Sequence, residues 1–171
     1  KWTKLTAISG ATVKVAKATY TGKAQKPKVT VTYKGKTLKV NKDYKVNYGS
    51  YKKAGPAKVK ITGIGNYTGT KTVSYNILTK KNKITKLTNG KGKKLTVKFS
   101  KATGAKGYEV SYATAKNFKK AKKKTTTKTS LTLTKLKKGK TYYVRVRSYI
   151  KVGKKKVYSA YSPVMKKKIT K

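Results

Sequence analysis

The sequence contains no cysteine and no histidine, and only two of its 171 residues are acidic. Without cysteine it can form neither disulfides nor thiolate metal sites, and without histidine it lacks the most common general base and metal ligand. Its acids, Asp43 and Glu109, lie in different halves of the chain, whereas a glycosidase needs two carboxyl groups within about 5–10 Å of each other. We therefore expect a protein that is not an enzyme and that holds no metal and no cofactor.

Proline and long apolar runs are also lacking. The chain has three prolines, too few for an extended stalk, and no apolar run approaches the ~20 residues that span a bilayer. It does have 14 tyrosines and 36% hydrophobic residues, and their regular alternation indicates a folded chain rather than a disordered basic tail. The chain begins at Lys1, and we expect a fragment of a larger secreted protein whose signal peptide has been removed.

The charge of the chain is almost entirely of one sign. There are 48 lysines and arginines, which give a net charge of +46. Arg145 and Arg147 are the only arginines, so lysine carries nearly all of this charge. A surface of this kind repels itself and attracts polyanions over a Debye length of about 8 Å. Because lysine is a flexible, hydrated point charge, it favours bulk electrostatics over specific recognition.

Apolar and polar residues alternate through the first half with the period of β-strands. Val29–Tyr33 and Val73–Ile77 are clear examples, and the glycine-rich "GIGNYTG" at Gly63–Gly69 supplies a turn. The alternation stops at "TKKNK" (Thr79–Lys83), a polar and basic stretch that is typical of a linker.

The alternation restarts in the second half. Its clearest strands are Leu95–Phe99, Tyr108–Tyr112 and Tyr142–Val146. We expect Glu109 to face outward on its strand and to pair with neighbouring lysines. Thr114–Lys123 is predicted as a loop or a short edge strand anchored by Phe118, and Val157–Ile169 as a single final strand.

Strands at intervals of about 8–12 residues with turn signals between them indicate β-sandwiches. Two stretches of suitable length flank the basic linker. We therefore predict an all-β fold with two tandem β-sandwich domains, at residues 1–79 and 84–171, joined by a linker at residues 80–83.

The second half resembles the fibronectin type III family. The segment "LKKGKTYYVRVRSY" at Leu136–Tyr149 is similar to the family pattern Leu-x-x-Gly-x-x-Tyr-x-Val-Arg-Val, and "ATGAKGYEVSYAT" and "YSAYSPVMKKKI" are similar to its third and last strands. The resemblance implies structural roles for Leu136 and Tyr142. Tyr142 falls at the tyrosine-corner position, where the phenol oxygen bonds to the upstream backbone. Phe99 departs from the pattern, because the family usually has tryptophan there.

The first half resembles the immunoglobulin-like repeats of secreted and wall-attached proteins of Gram-positive bacteria. The residues that carry this are, in order, Tyr-Thr-Gly-Lys-x-x-x-Pro, Asp-Tyr-x-Val-x-Tyr, Ala-Gly-x-Ala and Gly-x-Gly-Asn-Tyr-x-Gly, all within Ala18–Ile77. The resemblance implies an extracellular, cell-wall-associated module with no fixed ligand. A fold by itself does not define a function, so the site must be argued separately.

The sequence allows two roles for Asp43. It precedes a strand in "NKDYKVNY", where a short acid commonly caps a turn, and we expect this structural role. Some surface domains that resemble this class close a lysine–asparagine amide with the help of a buried acid. Asp43 would have to be that acid here, with Asn47 or Asn66 as the partner.

Runs of lysine are the strongest functional signal, and in a sandwich they fall on loops and edge strands. We predict a diffuse polyanion-binding surface made of Lys119, Lys120, Lys122, Lys123, Lys124, Lys137, Lys138, Lys154, Lys155, Lys156, Lys166, Lys167, Lys168, Arg145 and Arg147. Edge lysines also protect sheets from aggregation, which explains some of them but not this number.

Anionic polymers are the expected partners. Wall and lipoteichoic acids come first for a secreted module, and nucleic acid and acidic glycans would also bind. Three alternatives stay open: a structural spacer or adhesion module of a larger protein, a carbohydrate-binding module, and an engineered supercharged scaffold. The carbohydrate alternative depends on Tyr44, Tyr48, Tyr51 and Tyr67, with Trp2 as the only tryptophan.

Overall fold

The protein is described by a computed structural model that covers residues 4–171. The chain divides into two compact units, Lys1–Ile77 and Leu78–Lys171, which we call the first and second domains. Trp2 lies outside the described residues.

Short strands that alternate buried and exposed side chains make up the first domain. In its described part these strands are β1 (Thr6–Ala7), β2 (Thr12–Val15), β3 (Ala18–Thr19), β4 (Val29–Tyr33), β5 (Lys36–Thr37), β6 (Tyr44–Tyr48), β7 (Gly55–Gly63), β8 (Tyr67–Thr68) and β9 (Thr70–Leu78). A single 3-10 turn, Ile8–Gly10, interrupts them. One sheet has the order β2-β4-β5 and the other β3-β9-β7-β6, while β1 pairs with β8.

The two larger sheets of the first domain share one apolar core. Val31 from one sheet and Val59, Ile61 and Ile77 from the other are almost fully buried. These residues occupy alternate positions of their strands, as period two requires. Each buried aliphatic side chain of this kind contributes about 1.5–3 kcal/mol to folding.

The second domain is a second sandwich. Its strands are β10 (Ile84–Gly90), β11 (Lys94–Phe99), β12 (Gly107–Ala113), β13 (Lys122–Thr126), β14 (Ser130–Leu133), β15 (Thr141–Val152), β16 (Lys155–Tyr158) and β17 (Met165–Lys168). One sheet has the order β10-β11-β14. The other has the order β13-β12-β15-β16, and β17 also pairs with β15. The predicted all-β fold of two tandem β-sandwiches is confirmed.

The core of the second domain lies between these sheets. Leu95 and Val97 from β11 meet Val110 from β12 and Val144 and Val146 from β15, and all five are essentially inaccessible to water. Leu136 is also buried. The phenol oxygen of Tyr142 accepts a hydrogen bond of 3.1 Å from the backbone N–H of Lys137, and Tyr142 is buried as well.

The prediction of one final strand over Val157–Ile169 is wrong. Two short strands stand there, and both pair with the long strand β15: β16 pairs with Tyr149–Val152, and β17 with Thr141–Val144. Between them the chain leaves the regular ladder. The hydroxyl groups of Ser159 and Ser162 still accept hydrogen bonds from backbone N–H groups of β15.

The residues expected to form the linker are attached to the second domain. Thr79 is buried and shares a hydrogen bond with the hydroxyl of Ser148. Asn82 is buried too, and its amide donates to the carbonyl of Ser100 at 2.8 Å. The strand β13 begins near the end of the stretch predicted as a loop or edge strand, and it does lie at the edge of its sheet.

The hydrogen bond of Tyr142 can be tested with Tyr142→Phe. This change leaves the backbone N–H of Lys137 without its partner, and we expect the second domain to lose about 1–3 kcal/mol of stability. Tyr143→Phe is the matched control, because Tyr143 lies next to it on the opposite, half-buried face. Urea unfolding of the full chain measures both. Equal losses from the two variants would contradict a specific role for Tyr142.

Candidate anion-binding surface and an arginine–aromatic stack

The lysines stand in solvent. Every lysine from Lys4 onward is exposed except Lys71. The predicted runs lie in the second domain, at the turn before β13 and on β13 itself, in the turn before β15, in the β15–β16 hairpin and on β17. Their charges are therefore spread over several surfaces of that domain, and diffuse binding through them stays a prediction.

Lys71 is the lysine that sequence reasoning missed. Its ammonium group donates hydrogen bonds to the carbonyls of Ser9 and Ala11, at 2.8 and 2.6 Å. It thus satisfies two backbone acceptors beside the 3-10 turn and has a structural role. No pattern in the sequence distinguishes it from the other lysines.

Six lysines converge on one groove of about 800 Å³ in the second domain. They are Lys120, Lys122, Lys124, Lys135, Lys137 and Lys140. Four of them belong to the predicted surface, while Lys135 and Lys140 were not predicted. The sequence could not reveal this convergence, because these lysines are separated by the whole of β14.

Sheet topology explains the groove. The strand β13 lies at the edge of its sheet, and the groove lies between it and residues 134–143, which lead from β14 into β15. Lys122 and Lys124 pair with Tyr112 and Val110, whose side chains point into the core. Successive side chains alternate across a sheet, so these two lysines lie on the inward side of β13, at the open edge.

The two arginines behave differently from the lysines. The guanidinium of Arg145 lies 3.9 Å from the ring centroid of Phe118 and 4.0 Å from that of Tyr161. The guanidinium of Arg147 lies 4.5 Å from Tyr161 and 3.8 Å from Tyr158. The five side chains form one alternating stack, which we call the arginine–aromatic stack. Such contacts contribute about 0.5–2 kcal/mol each.

Glu109 lies on the face of β12 away from the core, as expected, but it is buried there and pairs with Arg147, so the expectation that it pairs with lysines is wrong. It is 6% exposed, and it lies directly across from Arg147 in the β12–β15 pairing. Its carboxylate accepts hydrogen bonds from Arg147 at 2.9 Å and from the phenol of Tyr161 at 2.8 Å. The arginine–aromatic stack covers this ion pair, and that explains why an acid is tolerated at a buried position.

The ionisation of Glu109 follows from these contacts. Burial alone raises the pKa of a carboxyl group, but the hydrogen bond from Tyr161 and the charge of Arg147 outweigh it, and the pKa of Glu109 is lowered. Burial and the contact with Glu109 raise the pKa of Tyr161. Carboxylate and phenol therefore stay in the forms that their hydrogen bond needs at neutral pH.

The stack has a sequence signal that can be recognised afterwards. Arg145 and Arg147 are the only arginines, and they are two residues apart on a strand, which places them on one face. Tyr158 and Tyr161 follow on the segment that folds back. Both guanidinium groups are engaged in the stack, whereas the lysines of the predicted surface stand in solvent.

Asp43 forms a local turn. One carboxylate oxygen accepts a 2.8 Å hydrogen bond from the backbone N–H of Lys39, and its own N–H donates to the carbonyl of the same residue. It is half-buried, and Asn47 and Asn66 are exposed, so the buried acid that an amide cross-link needs is absent here. Within residues 4–171 no group of three or more acids could hold a metal ion.

The tyrosines of the first domain pack against its core. Tyr44 is buried, and the phenol of Tyr48 donates to the carbonyl of Pro27 at 2.7 Å. Tyr51 and Tyr67 make edge contacts with other tyrosines. Burial raises the pKa of Tyr44 and of Tyr48. These four rings do not form the flat exposed row that stacking on sugars requires.

Residues 82–164 match the family of the fibronectin type III domain, and the second domain is therefore a fibronectin type III domain. This match ends just before β17. The likeness of the first domain to a bacterial immunoglobulin-like repeat stays a prediction. No curated protein sequence matches the chain. Among the described residues, no helix is long and apolar enough to cross a membrane.

The chain is also similar to two solved structures. One is the crystal structure of a run of titin domains, at 15% identity and a TM-score of 0.47, with 94% of this chain and 66% of that chain covered. The other is that of the chicken CNTN1 FN1–FN3 domains, at 14% identity and a TM-score of 0.48, with 94% and 55% covered. The chain thus spans less than two thirds of either. Fibronectin type III domains are typically non-catalytic structural or adhesion modules.

The ion pair of Glu109 with Arg147 predicts that the stability of the second domain falls in acid. Because the pKa of Glu109 is lower in the folded than in the unfolded state, its contribution to stability is complete above about pH 4.3 and is lost as the pH falls through the folded value. We expect Glu109→Gln to destabilise the second domain at pH 7 and to match the parent protein near pH 2. The gap should close by up to about 1.4 kcal/mol per pH unit.

Calorimetry of the full chain between these pH values measures the effect. The interpretation is direct because the sequence has only two acidic side chains. Asp43→Asn is the matched control, since it removes the other acid from the first domain. A stability gap for Glu109→Gln that stays constant with pH would show that the charge of Glu109 contributes nothing.

Proposed function

We propose that this chain is a non-catalytic, lysine-rich module that binds anionic polymers or surfaces by multivalent electrostatics. The observation that carries the proposal is the lack of internal neutralisation. Among the described residues the ion pair of Arg147 with Glu109 is the only one found. The remaining cations are Arg145 and the lysines, and every lysine from Lys4 onward is exposed except Lys71. The sequence has only two acids to pair with them.

Wall and lipoteichoic acids are the polymers we propose as partners. They are flexible phosphate chains at high local density, and a flexible point charge such as lysine suits them better than the planar fork of arginine. Each lysine–phosphate contact is weak and screened by salt, so retention depends on many contacts at once. The module would then keep a larger secreted protein at the cell wall of a bacterium.

A second candidate function is a structural or adhesion module that presents other domains. The fibronectin type III fold of the second domain favours it. In that case the lysines serve solubility, and binding should follow net charge alone without preference among polyanions.

Retention of the full chain on bacterial walls, with and without their teichoic acids and across a salt series, tests the proposal. We expect strong retention that falls steeply with salt and disappears when teichoic acid is removed. Duplex DNA and heparin at matched charge density are the comparison ligands. Equal affinity for all three polymers would support a general polyanion binder instead.

Retention that survives both removal of teichoic acid and high salt would overturn the electrostatic proposal. It would require an uncharged contact, such as a sugar stacked on an aromatic ring. Binding to each polyanion that is no stronger than net charge alone gives would favour the structural module.

A further inference from the structure

We propose that the groove between β13 and residues 134–143 is a discrete site for a short chain of linked phosphates. The inference rests on the proposed function in one respect, namely that the lysines bind anions. It goes further because it assigns one saturable site to the second domain. The other exposed lysines then attract anions to the domain without forming a defined site.

The groove is both positively charged and concave. Six lysines line a space of about 800 Å³, within the usual size range of small-ligand sites. A concave site concentrates the field of its charges, so an anion is held more strongly there than on a flat surface with the same number of lysines. None of the lining residues is acidic.

Glu109, the only acid of the second domain, does not neutralise the lysines of the groove. Glu109 lies on the opposite face of β12 from Tyr112, which lines the groove, and it is held by Arg147 and Tyr161. The groove lysines can therefore be neutralised only by a ligand or by salt.

The neutral lining favours phosphate over a sugar or a nucleobase. Thr114, Thr134 and Thr141 line the groove, and a hydroxyl can donate to a phosphate oxygen. The rings of Tyr112 and Tyr142 pack against each other with centroids 6.3 Å apart and are only 5% and 8% exposed. These two rings offer little face for stacking, and the third ring of the lining, Tyr143, is half-buried. A ligand of several linked phosphates uses the lysines and hydroxyls and needs no aromatic face.

Two triple variants with the same change in net charge test the site. The groove variant carries Lys122→Gln, Lys124→Gln and Lys140→Gln. The control variant carries Lys91→Gln, Lys101→Gln and Lys106→Gln on loops of the second domain, outside both the groove and the predicted surface. All six lysines are exposed, so both variants should fold, which melting temperatures would verify.

Titration calorimetry with tripolyphosphate at physiological salt is the measurement. We expect one site per chain, about tenfold weaker binding in the groove variant, and less than about threefold weaker binding in the control. A glycerol-phosphate oligomer of equal charge in a second arm distinguishes a phosphodiester from a phosphoanhydride ligand. Equal weakening in both variants, or many sites per chain, would overturn the proposal.

Retention on a long phosphate polymer separates the two proposals. If both variants keep this retention while tripolyphosphate shows no preference for the groove, the discrete site is wrong and the diffuse function stands. If the parent chain binds neither the short nor the long polymer, the proposed function itself is wrong.

Discussion

The rest of this structure depends on one constraint, which is that the molecule must fold while its own charges repel. Its net charge is +46, and no arrangement of two acids can neutralise it. Stability must therefore come from the apolar cores of the two domains, in which aliphatic side chains on alternate strand positions are almost fully buried. Burial of apolar surface does not depend on the sign of the surface charge, so the fold leaves the surface free to be almost all lysine.

In the second domain two like charges also have to be accommodated next to each other. Arg145 and Arg147 stand close together on β15, and they are held between three aromatic rings rather than in water. A guanidinium is weakly hydrated and planar, so it can stack where a lysine ammonium would be desolvated at a higher cost. Glu109 neutralises one of the pair. This explains why the only two arginines of the chain occur at these positions.

Much of the fold could be predicted from the sequence, because period-two alternation and turn residues are local signals. The strands around Val31, Val97 and Val144 lie where the pattern predicts. The split of the last strand could not be predicted, because it depends on Ser159 and Ser162 bonding to the backbone of β15. Alternation likewise indicates only that Glu109 faces away from the core, and not that the chain folds back over it.

The sequence predicted that lysines form the candidate site, but it did not predict where in the second domain they come together. Exposed lysine runs follow from the composition, whereas the groove depends on the edge strand β13 lying next to residues 134–143. That convergence is tertiary, so Lys135 and Lys140 carried no sequence signal. Lys71 is the opposite case, because its carbonyl partners, Ser9 and Ala11, are distant in sequence and make it structural.

The central claim is that the positive charge of this chain is not compensated internally. Urea unfolding of the full chain in NaCl from about 0.01 to 1 M tests it directly, since the Debye length falls from about 30 to 3 Å over this range. We predict that the free energy of unfolding rises with salt and levels off once the repulsion between lysines is screened. A free energy that is unchanged across the series would contradict the account, because the lysines would then be neutralised already.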